Sequence, residues 1–336
     1  MGKLWTRAKA LISRLLQRKP PEPGRFEAGS KFAWRGFLAA APWIWPSRDY
    51  LVYVPRGHSR WEFRRRPLIV MIHGCRQSPE DFAAGTRVAG LADDLGSLVL
   101  LPRQKASANP WGCWNWFDVA TAHGWGETAI VAAQIRAVRR RYRIDRRRVF
   151  VAGMSSGAGL AAALGIRRPD LVAGAFVHSG VACGAASSPL TAMAVLAHGA
   201  NTDVAAIGAA ARSDADAETL PVPLVAVQGR QDSIVAAVNG EELVRQYLAL
   251  NGHPASAAPA HGPLPPADRT ATEATADGRT VTTREWLAGE RLVARYVEVD
   301  ALGHAWSGGD DRYPFNDAHA PDATALLGAF VRTGVQ

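Results

Sequence analysis

Along most of the chain, short runs of uninterrupted apolar residues alternate with stretches whose apolar positions recur every three or four residues. Leu68-Ile69-Val70-Met71-Ile72, Leu98-Val99-Leu100-Leu101 and Leu224-Val225-Ala226-Val227 are apolar at every position, a pattern that suits strands covered on both faces. Strands are predicted near 49–55, 68–73, 97–102, 148–153, 174–179, 222–228 and 292–299, and helices near 80–95, 126–141, 156–167, 235–250 and 318–332. Strand and helix in alternation predict an α/β fold, a mostly parallel central sheet with helices on both faces.

Three segments break this rhythm. Residues 1–47 read as an N-terminal arm ahead of one domain spanning 48–336. Within it Leu4, Trp5, Ala8, Leu11, Ile12, Leu15 and Leu16 recur at helical spacing while Lys3, Arg7, Arg14 and Arg18 fill other positions, and Pro20-Pro21 stops the pattern. This is a basic amphipathic helix. Arg14 interrupts the apolar run and no small-residue cleavage site follows, so the reading is not a cleavable signal peptide. Residues 3–19 are instead a candidate for peripheral contact with a membrane or polymer surface, with docking on the chain's own body as the alternative. Phe32 to Trp45 is apolar but broken by Arg35 and Pro42, too short and interrupted to span a bilayer. The Ala- and Ser-rich stretch 182–220 is a candidate small cap, and the Pro- and Ala-rich stretch 253–278 reads as a solvated loop.

Composition adds scale and charge. With 336 residues, 48% hydrophobic and 21% charged, the chain can bury one large core. The net charge of +9 comes largely from arginine runs at 64–66, 139–143 and 146–148, which read as a solvated basic face or as attraction to an anionic membrane or polymer. No nucleic-acid motif accompanies them, so no nucleic-acid partner is expected.

The chemistry begins where the apolar run Val149-Phe150-Val151-Ala152 breaks into Gly153-Met154-Ser155-Ser156-Gly157 before a helical stretch. Gly-x-Ser-x-Gly at a strand-to-helix turn is a nucleophile elbow, which holds the serine hydroxyl exposed above a strand end. A serine needs a base and an oxyanion site, and both should follow strands of their own. After the run ending at Gly229 comes Asp232, and after the run 293–299 comes His304 in Leu302-Gly303-His304-Ala305-Trp306. Ser155, Asp232 and His304 thus stand in the order nucleophile, acid, base. Asp300 is a weaker rival for the acid, and His73, His178 and His319 read as structural or surface histidines. The oxyanion donors are expected to be the backbone N–H groups of Ser156, after the nucleophile, and of Cys75, after the strand ending in His73-Gly74.

Taken together, His73-Gly74-Cys75-Arg76-Gln77, Cys113-Trp114-Asn115-Trp116-Phe117, the elbow and Gly303-His304-Ala305-Trp306-Ser307-Gly308-Gly309 resemble the polyhydroxybutyrate depolymerase family of esterases. The likeness runs over roughly 48–332 and includes Pro314-Phe315-Asn316-Asp317. It implies an α/β-hydrolase fold, akin to feruloyl and acetyl xylan esterases, and ester hydrolysis through an acyl-enzyme on Ser155. Short hydroxybutyrate oligomers or small acyl esters are the implied substrates, with a feruloyl or acetyl xylan type esterase as the alternative. A non-catalytic granule- or envelope-binding protein is the reading from another class.

The resemblance also places Trp111, Trp114, Trp116 and Trp306 near the site, the last three as candidate substrate-binding residues. Asn115 is expected to fix its loop by hydrogen bonds. Of the three cysteines, a Cys75–Cys113 bridge would brace the oxyanion loop and imply an oxidising compartment, with free buried thiols as the alternative. No organic cofactor is expected, and the His and Cys spacings form no zinc pattern. The family is commonly exported, whereas this N-terminus carries no cleavable signal, so extracellular, periplasmic, cytoplasmic and membrane-peripheral locations all stay open.

Overall fold

Residues 68–72 are fully buried and divide strictly by parity: Leu68, Val70 and Ile72 face one core layer, Ile69 and Met71 the other. The same division runs through Val149 and Val151 against Phe150, Ala152 and Met154. A central parallel strand has no solvent face, which is why these runs carry no polar alternation. The computed structural model describes residues 23–33, 46–59, 64–216, 218, 222–259 and 262–333. The amphipathic pattern at 3–19 lies outside them.

In chain order the elements are β1 (Arg25–Phe32), β2 (Ser47–Val54), β3 (Arg66–Ile72), α1 (Pro79–Thr86), α2 (Val88–Leu95), β4 (Leu98–Pro102), α3 (Val119–Ala122) and α4 (Gly126–Arg141). Next come β5 (Ile144–Met154), α5 (Ser156–Arg167), β6 (Gly174–His178), α6 (Pro189–His198), α7 (Val204–Asp214), β7 (Leu224–Gly229) and α8 (Val238–Leu250). Last are β8 (Arg269–Ala274), β9 (Thr280–Ala288), β10 (Arg291–Val299), β11 (Trp306–Ser307), β12 (Asn316–Asp317) and α9 (Ala323–Thr333). Among the described residues the main sheet has ten strands in the order β1-β2-β4-β3-β5-β6-β7-β10-β9-β8. Strands β4, β3, β5, β6, β7 and β10 run parallel, and antiparallel pairs extend the sheet at both edges. One face is covered from α4, α5 and α8, the other from α1, α2 and α9.

Three expectations change. The arm is not wholly outside the sheet, because β1 pairs along its length with β2, from Arg25 opposite Val54 to Phe32 opposite Ser47. Its residues are mostly exposed or half-buried, so the strand shows no apolar signature. The stretch 253–278 is not all loop: β8 occupies 269–274 and forms a hairpin with the unforeseen β9 around Asp277-Gly278, where Gly278 has φ 85°. Threonines carry that hairpin, Thr272 facing Thr282 at 3.3 Å, and β-branched polar residues on a solvent-facing strand have the same composition as a loop. The helix expected over 80–95 is two, broken where Arg87 takes a left-handed φ of 55° and donates a guanidinium hydrogen bond to the Gly308 carbonyl.

The stretch 182–220 contains α6 and α7. Helix α7 lies close on α8, since a Cβ at Gly208 would come within 2.2 Å of the Gln246 carbonyl oxygen. The end of α6 is held by Glu242 of α8, whose Oε1 accepts the Ala200 N–H at 2.8 Å. Burial raises the Glu242 carboxyl to about 7, outweighing that N–H and the nearby Arg245 charge. Because the folded-state value exceeds the unfolded one, the folded protein retains a proton between pH 4.5 and about 7 that the unfolded chain has lost. Stability therefore falls as pH rises through that window, by this group's contribution. Glu242→Gln is expected to abolish that slope and to be the more stable form at pH 8, as read from urea midpoints at pH 5 and pH 8.

Candidate active site

Every sequence-selected catalytic residue lies just past the carboxyl end of a parallel strand: Ser155 after β5, Asp232 after β7 and His304 after β10. Ser155 has φ 56° and ψ −123°, a strained conformation for a residue with a side chain. Its neighbours are small for a physical reason. A Cβ at Gly157 would lie 2.2 Å from the Ile72 carbonyl oxygen, and one at Gly153 2.4 Å from the Gly157 oxygen. The turn closes only because both positions lack a side chain.

His304 Nδ1–H donates to Asp232 Oδ2 at 2.8 Å, with the side chains 7% and 0% exposed. The other carboxylate oxygen accepts the backbone N–H groups of Ile234 at 2.9 Å and Val235 at 2.8 Å. Burial pushes the Asp232 carboxyl up, but the His304 hydrogen bond and charge, with those two N–H groups, hold it below the usual carboxylate range. A carboxylate so held keeps the imidazole in one orientation, with Nε2 the ring nitrogen it does not hold.

Beneath these residues sits His178, at the end of β6 and wholly buried. Its carbonyl accepts the Ser155 N–H at 3.0 Å, and its Nε2 accepts the Ser307 N–H at 3.3 Å. Burial, then the nearby His304 charge, lowers its pKa to about 3, so it stays neutral and structural, as the sequence reading held. His73 is likewise buried, donating from Nδ1 to the Gly74 carbonyl at 2.7 Å and accepting the Gln104 N–H at 3.3 Å, with its pKa lowered to about 4 by burial.

Ser156 opens α5, so its N–H has no intrahelical acceptor. Neither it nor the Cys75 N–H has a backbone or side-chain acceptor among the described residues. Gln77 ties the loop before it, accepting the Gly74 N–H at 2.8 Å. Cys75 is bridged to Cys113 with 4.1 Å between the Cα atoms, while Cys183 is free and buried. The bridge joins the loop after β3 to the tryptophan loop, and the Arg76 N–H adds a bond to the Trp111 carbonyl at 2.9 Å. Reduction with dithiothreitol is expected to lower kcat roughly tenfold on p-nitrophenyl butyrate with KM little changed, since a displaced N–H weakens transition-state contacts first. Steady-state kinetics before and after thiol alkylation check this.

The tryptophans separate. Trp114 is fully buried, its backbone N–H reaching the Ser156 hydroxyl at 3.3 Å, and Trp116 packs against Gly159, where a Cβ would meet its ring at 2.9 Å. Both line a cleft of about 630 Å³ that opens at Ser155, together with the exposed Trp111, whose ring lies under the Arg76 guanidinium. Trp306 does not line it. Two residues past His304 the chain enters β11, and the indole turns inward, stacked on His178 at 5.2 Å and donating to the Thr324 hydroxyl at 3.0 Å. Its candidacy as a substrate contact is thereby corrected: Trp306 packs the core and supports His178.

Sequence reasoning missed two groups. The opposite wall of the cleft is Ala192, Met193 and Leu196 of α6 with Ile234. Met193 and Leu190, 67% and 83% exposed on the same helix, were the available signal. The other is Glu127, fully buried at the start of α4. It accepts the Asn115 backbone N–H at 2.7 Å, the Asn115 amide at 3.1 Å and the Gln104 amide at 2.6 Å, and pairs with the equally buried Arg48 at 3.2 Å. This network anchors the tryptophan loop, the role expected of Asn115. A carboxylate in phase with Val131 and Ile135 on an apolar helix face was its trace in the sequence. Among the described residues no group of three or more His, Cys, Asp or Glu is arranged to hold a metal ion.

Residues 48–262 match the family model for esterase PHB depolymerase. Poly(3-hydroxyalkanoate) depolymerase C of Paucimonas lemoignei is 30% identical over 188 residues, 55% of this chain and 45% of that protein. A probable acetylxylan esterase A of Neosartorya fischeri is 30% identical over 40% of this chain and 35% of its own length. The chain thus spans less than half the length of these relatives. The solved acetyl xylan esterase from Aspergillus awamori superposes with a TM-score of 0.64 at 21% identity, covering 83% of this chain and 94% of that one, a likeness of fold. The sheet is accordingly that of an α/β-hydrolase, and the chain belongs to the PHB depolymerase family of esterases.

Proposed function

We propose that this chain is a serine hydrolase of neutral carboxylic esters, with Ser155 as nucleophile, His304 as general base and acid, Asp232 as its orienting partner, and the N–H groups of Cys75 and Ser156 as the oxyanion site. His304 takes the hydroxyl proton as Ser155 Oγ bonds to the ester carbonyl carbon, and the carbonyl oxygen becomes an oxyanion between the two N–H groups. Collapse breaks the bond to the alcohol oxygen, which leaves with the proton from His304. Water then repeats both steps on the acyl-enzyme and frees the acid and the serine.

The observation that carries the substrate class is the cleft. Asp118 is the single charged residue lining it, and that carboxylate is engaged in capping α3 through Thr121 at 2.8 Å. An apolar cleft of about 630 Å³, walled by tryptophans and by α6, favours an uncharged acyl chain longer than acetyl. Short hydroxyalkanoate oligomers and related small acyl esters fit this description. The Cys75–Cys113 bridge favours an oxidising compartment.

A panel of p-nitrophenyl acetate, p-nitrophenyl butyrate, hydroxybutyrate oligomers, methyl ferulate and acetylated xylan tests the reading. Butyrate and the oligomers are expected to be preferred by kcat/KM, and Leu196→Ala is expected to lower the butyrate value roughly tenfold more than the acetate value. Preference for methyl ferulate or for acetylated xylan would move the chain to the feruloyl or acetyl xylan type. Failure to react with a fluorophosphonate probe would instead favour a non-catalytic binding protein.

A further inference from the structure

The arginine runs gather at one end of the molecule. The parallel strands start at that end with Arg66 of β3 and Ile144 of β5, paired in register, and finish at the other end with the catalytic loops. Helix α4 runs the opposite way, so it delivers Arg139, Arg140 and Arg141 to the strand-start end. Arg146 and Arg147 project from the irregular first half of β5, and Arg64 and Arg65 precede β3. Arg64, Arg65, Arg140, Arg146 and Arg147 are all exposed and form no salt bridge with a carboxylate of the described residues.

Three acids of this end are engaged, while Asp94 near the end of α2 is exposed. Glu27 pairs with Arg141 at 2.6 Å and Arg25 at 3.0 Å, Asp170 pairs with Arg168 at 2.5 Å, and Asp145 accepts the Arg147 backbone N–H at 3.0 Å. Positive charge is crowded here: burial and then the neighbouring Arg146 lower the Arg139 pKa. Nothing in the catalytic machinery uses this end, which lies roughly 20 Å from the cleft along the length of β3.

The chain also enters the sheet here. Arg25 lies opposite Val54, the strand-start edge of the sheet, because β1 runs antiparallel to β2 and β2 antiparallel to β4. The preceding residues carry Lys3, Arg7, Lys9, Arg14, Arg18 and Lys19 among Leu4, Trp5, Leu11, Ile12, Leu15 and Leu16. The described chain therefore enters the sheet at the basic end, and in sequence it follows a basic amphipathic stretch.

We propose that this arginine end is a docking surface for an anionic lipid bilayer, on which the protein sits with its cleft turned away from the membrane. Arginines without carboxylate partners among the described residues attract acidic headgroups, and the apolar positions of 3–19 supply the second anchoring term that stable peripheral binding needs. A nucleic acid would meet the charge but leave those apolar positions without a partner. This surface is independent of the ester chemistry above.

The test is co-sedimentation of the full chain with vesicles of phosphatidylcholine alone or mixed with phosphatidylglycerol, esterase activity serving as the measure of folding. Binding is expected on the mixed vesicles alone and is expected to be lost in high salt. The combined variant Arg64→Gln, Arg65→Gln, Arg140→Gln, Arg146→Gln, Arg147→Gln is expected to bind at least roughly tenfold more weakly with unchanged activity, and the corresponding five Arg→Lys changes to restore binding. Equal binding to neutral vesicles, undiminished binding by the Gln variant, or displacement from vesicles by duplex DNA at equal phosphate concentration would each overturn the proposal.

Discussion

Ser155→Ala is expected to lower kcat on p-nitrophenyl butyrate by roughly 10⁵–10⁶-fold while leaving the thermal midpoint unchanged within error. The magnitude follows from loss of the covalent route: without Oγ no acyl-enzyme forms, and His304 with Asp232 has no hydroxyl to activate. Some acceleration over water is expected to survive, on the order of 10³-fold, because the cleft and the N–H groups of Cys75 and Ser156 still hold a carbonyl. The strained turn does not depend on the hydroxyl. Its geometry is enforced by the backbone approaches at Gly153 and Gly157, so alanine at 155 folds as serine does. Retention of near-full activity would remove Ser155 from the mechanism. A quenched fluorophosphonate reaction together with lost turnover would support it.

Glu127→Ala is expected to cost about 3–5 kcal/mol of stability, since it strips the partner from an Arg48 guanidinium that is itself fully buried. In a chain of this size that corresponds to a fall of roughly 5 °C in Tm. Activity is expected to fall too, because Glu127 holds Asn115 and, through Gln104, which donates to the Cys113 carbonyl at 2.9 Å, the residue that is bridged to Cys75. The two effects separate in the double variant Arg48→Met, Glu127→Leu. Replacing both charges by apolar side chains is expected to recover most of the stability. It cannot return the acceptor that Asn115 requires, so kcat is expected to remain low. Joint recovery of stability and kcat would show that the network serves folding alone.

How much of this was legible differs by element. The central stretches of β3, β4, β5 and β7 were readable because both their faces are covered, which forces apolar residues at every position, whereas β10 was readable through the apolar positions around its half-buried Arg295 and Glu298. The edge strands β1, β8 and β9 were not, since a strand with a solvent face and polar neighbours carries no such run. The break at Arg87 was equally invisible: its left-handed backbone is accompanied by a distant hydrogen bond to the Gly308 carbonyl, and no local sequence signal announces a partner so far along the chain.

The order of the candidate catalytic residues is legible in sequence because strained turns and loop glycines constrain neighbours in the chain. Gly153 and Gly157 leave a local signature around Ser155, and Asp232 and His304 each follow a strand that is itself conspicuous. The surroundings of the site could not be read, because they depend on residues far apart in the chain. The cleft joins Trp114 and Trp116 to Met193 and Leu196, and the loop beneath it is held by Arg48, Gln104 and Glu127. Trp306 shows the same limit from the other side, lying two residues from His304 yet pointing into the core. Sequence alone therefore determined the parallel core of the sheet and the order of the candidate catalytic residues, which rest on burial periodicity and backbone conformation. Only the tertiary structure decided which side chains line the cleft and which charges support them, because facing is set by strand order and helix packing rather than by position along the chain.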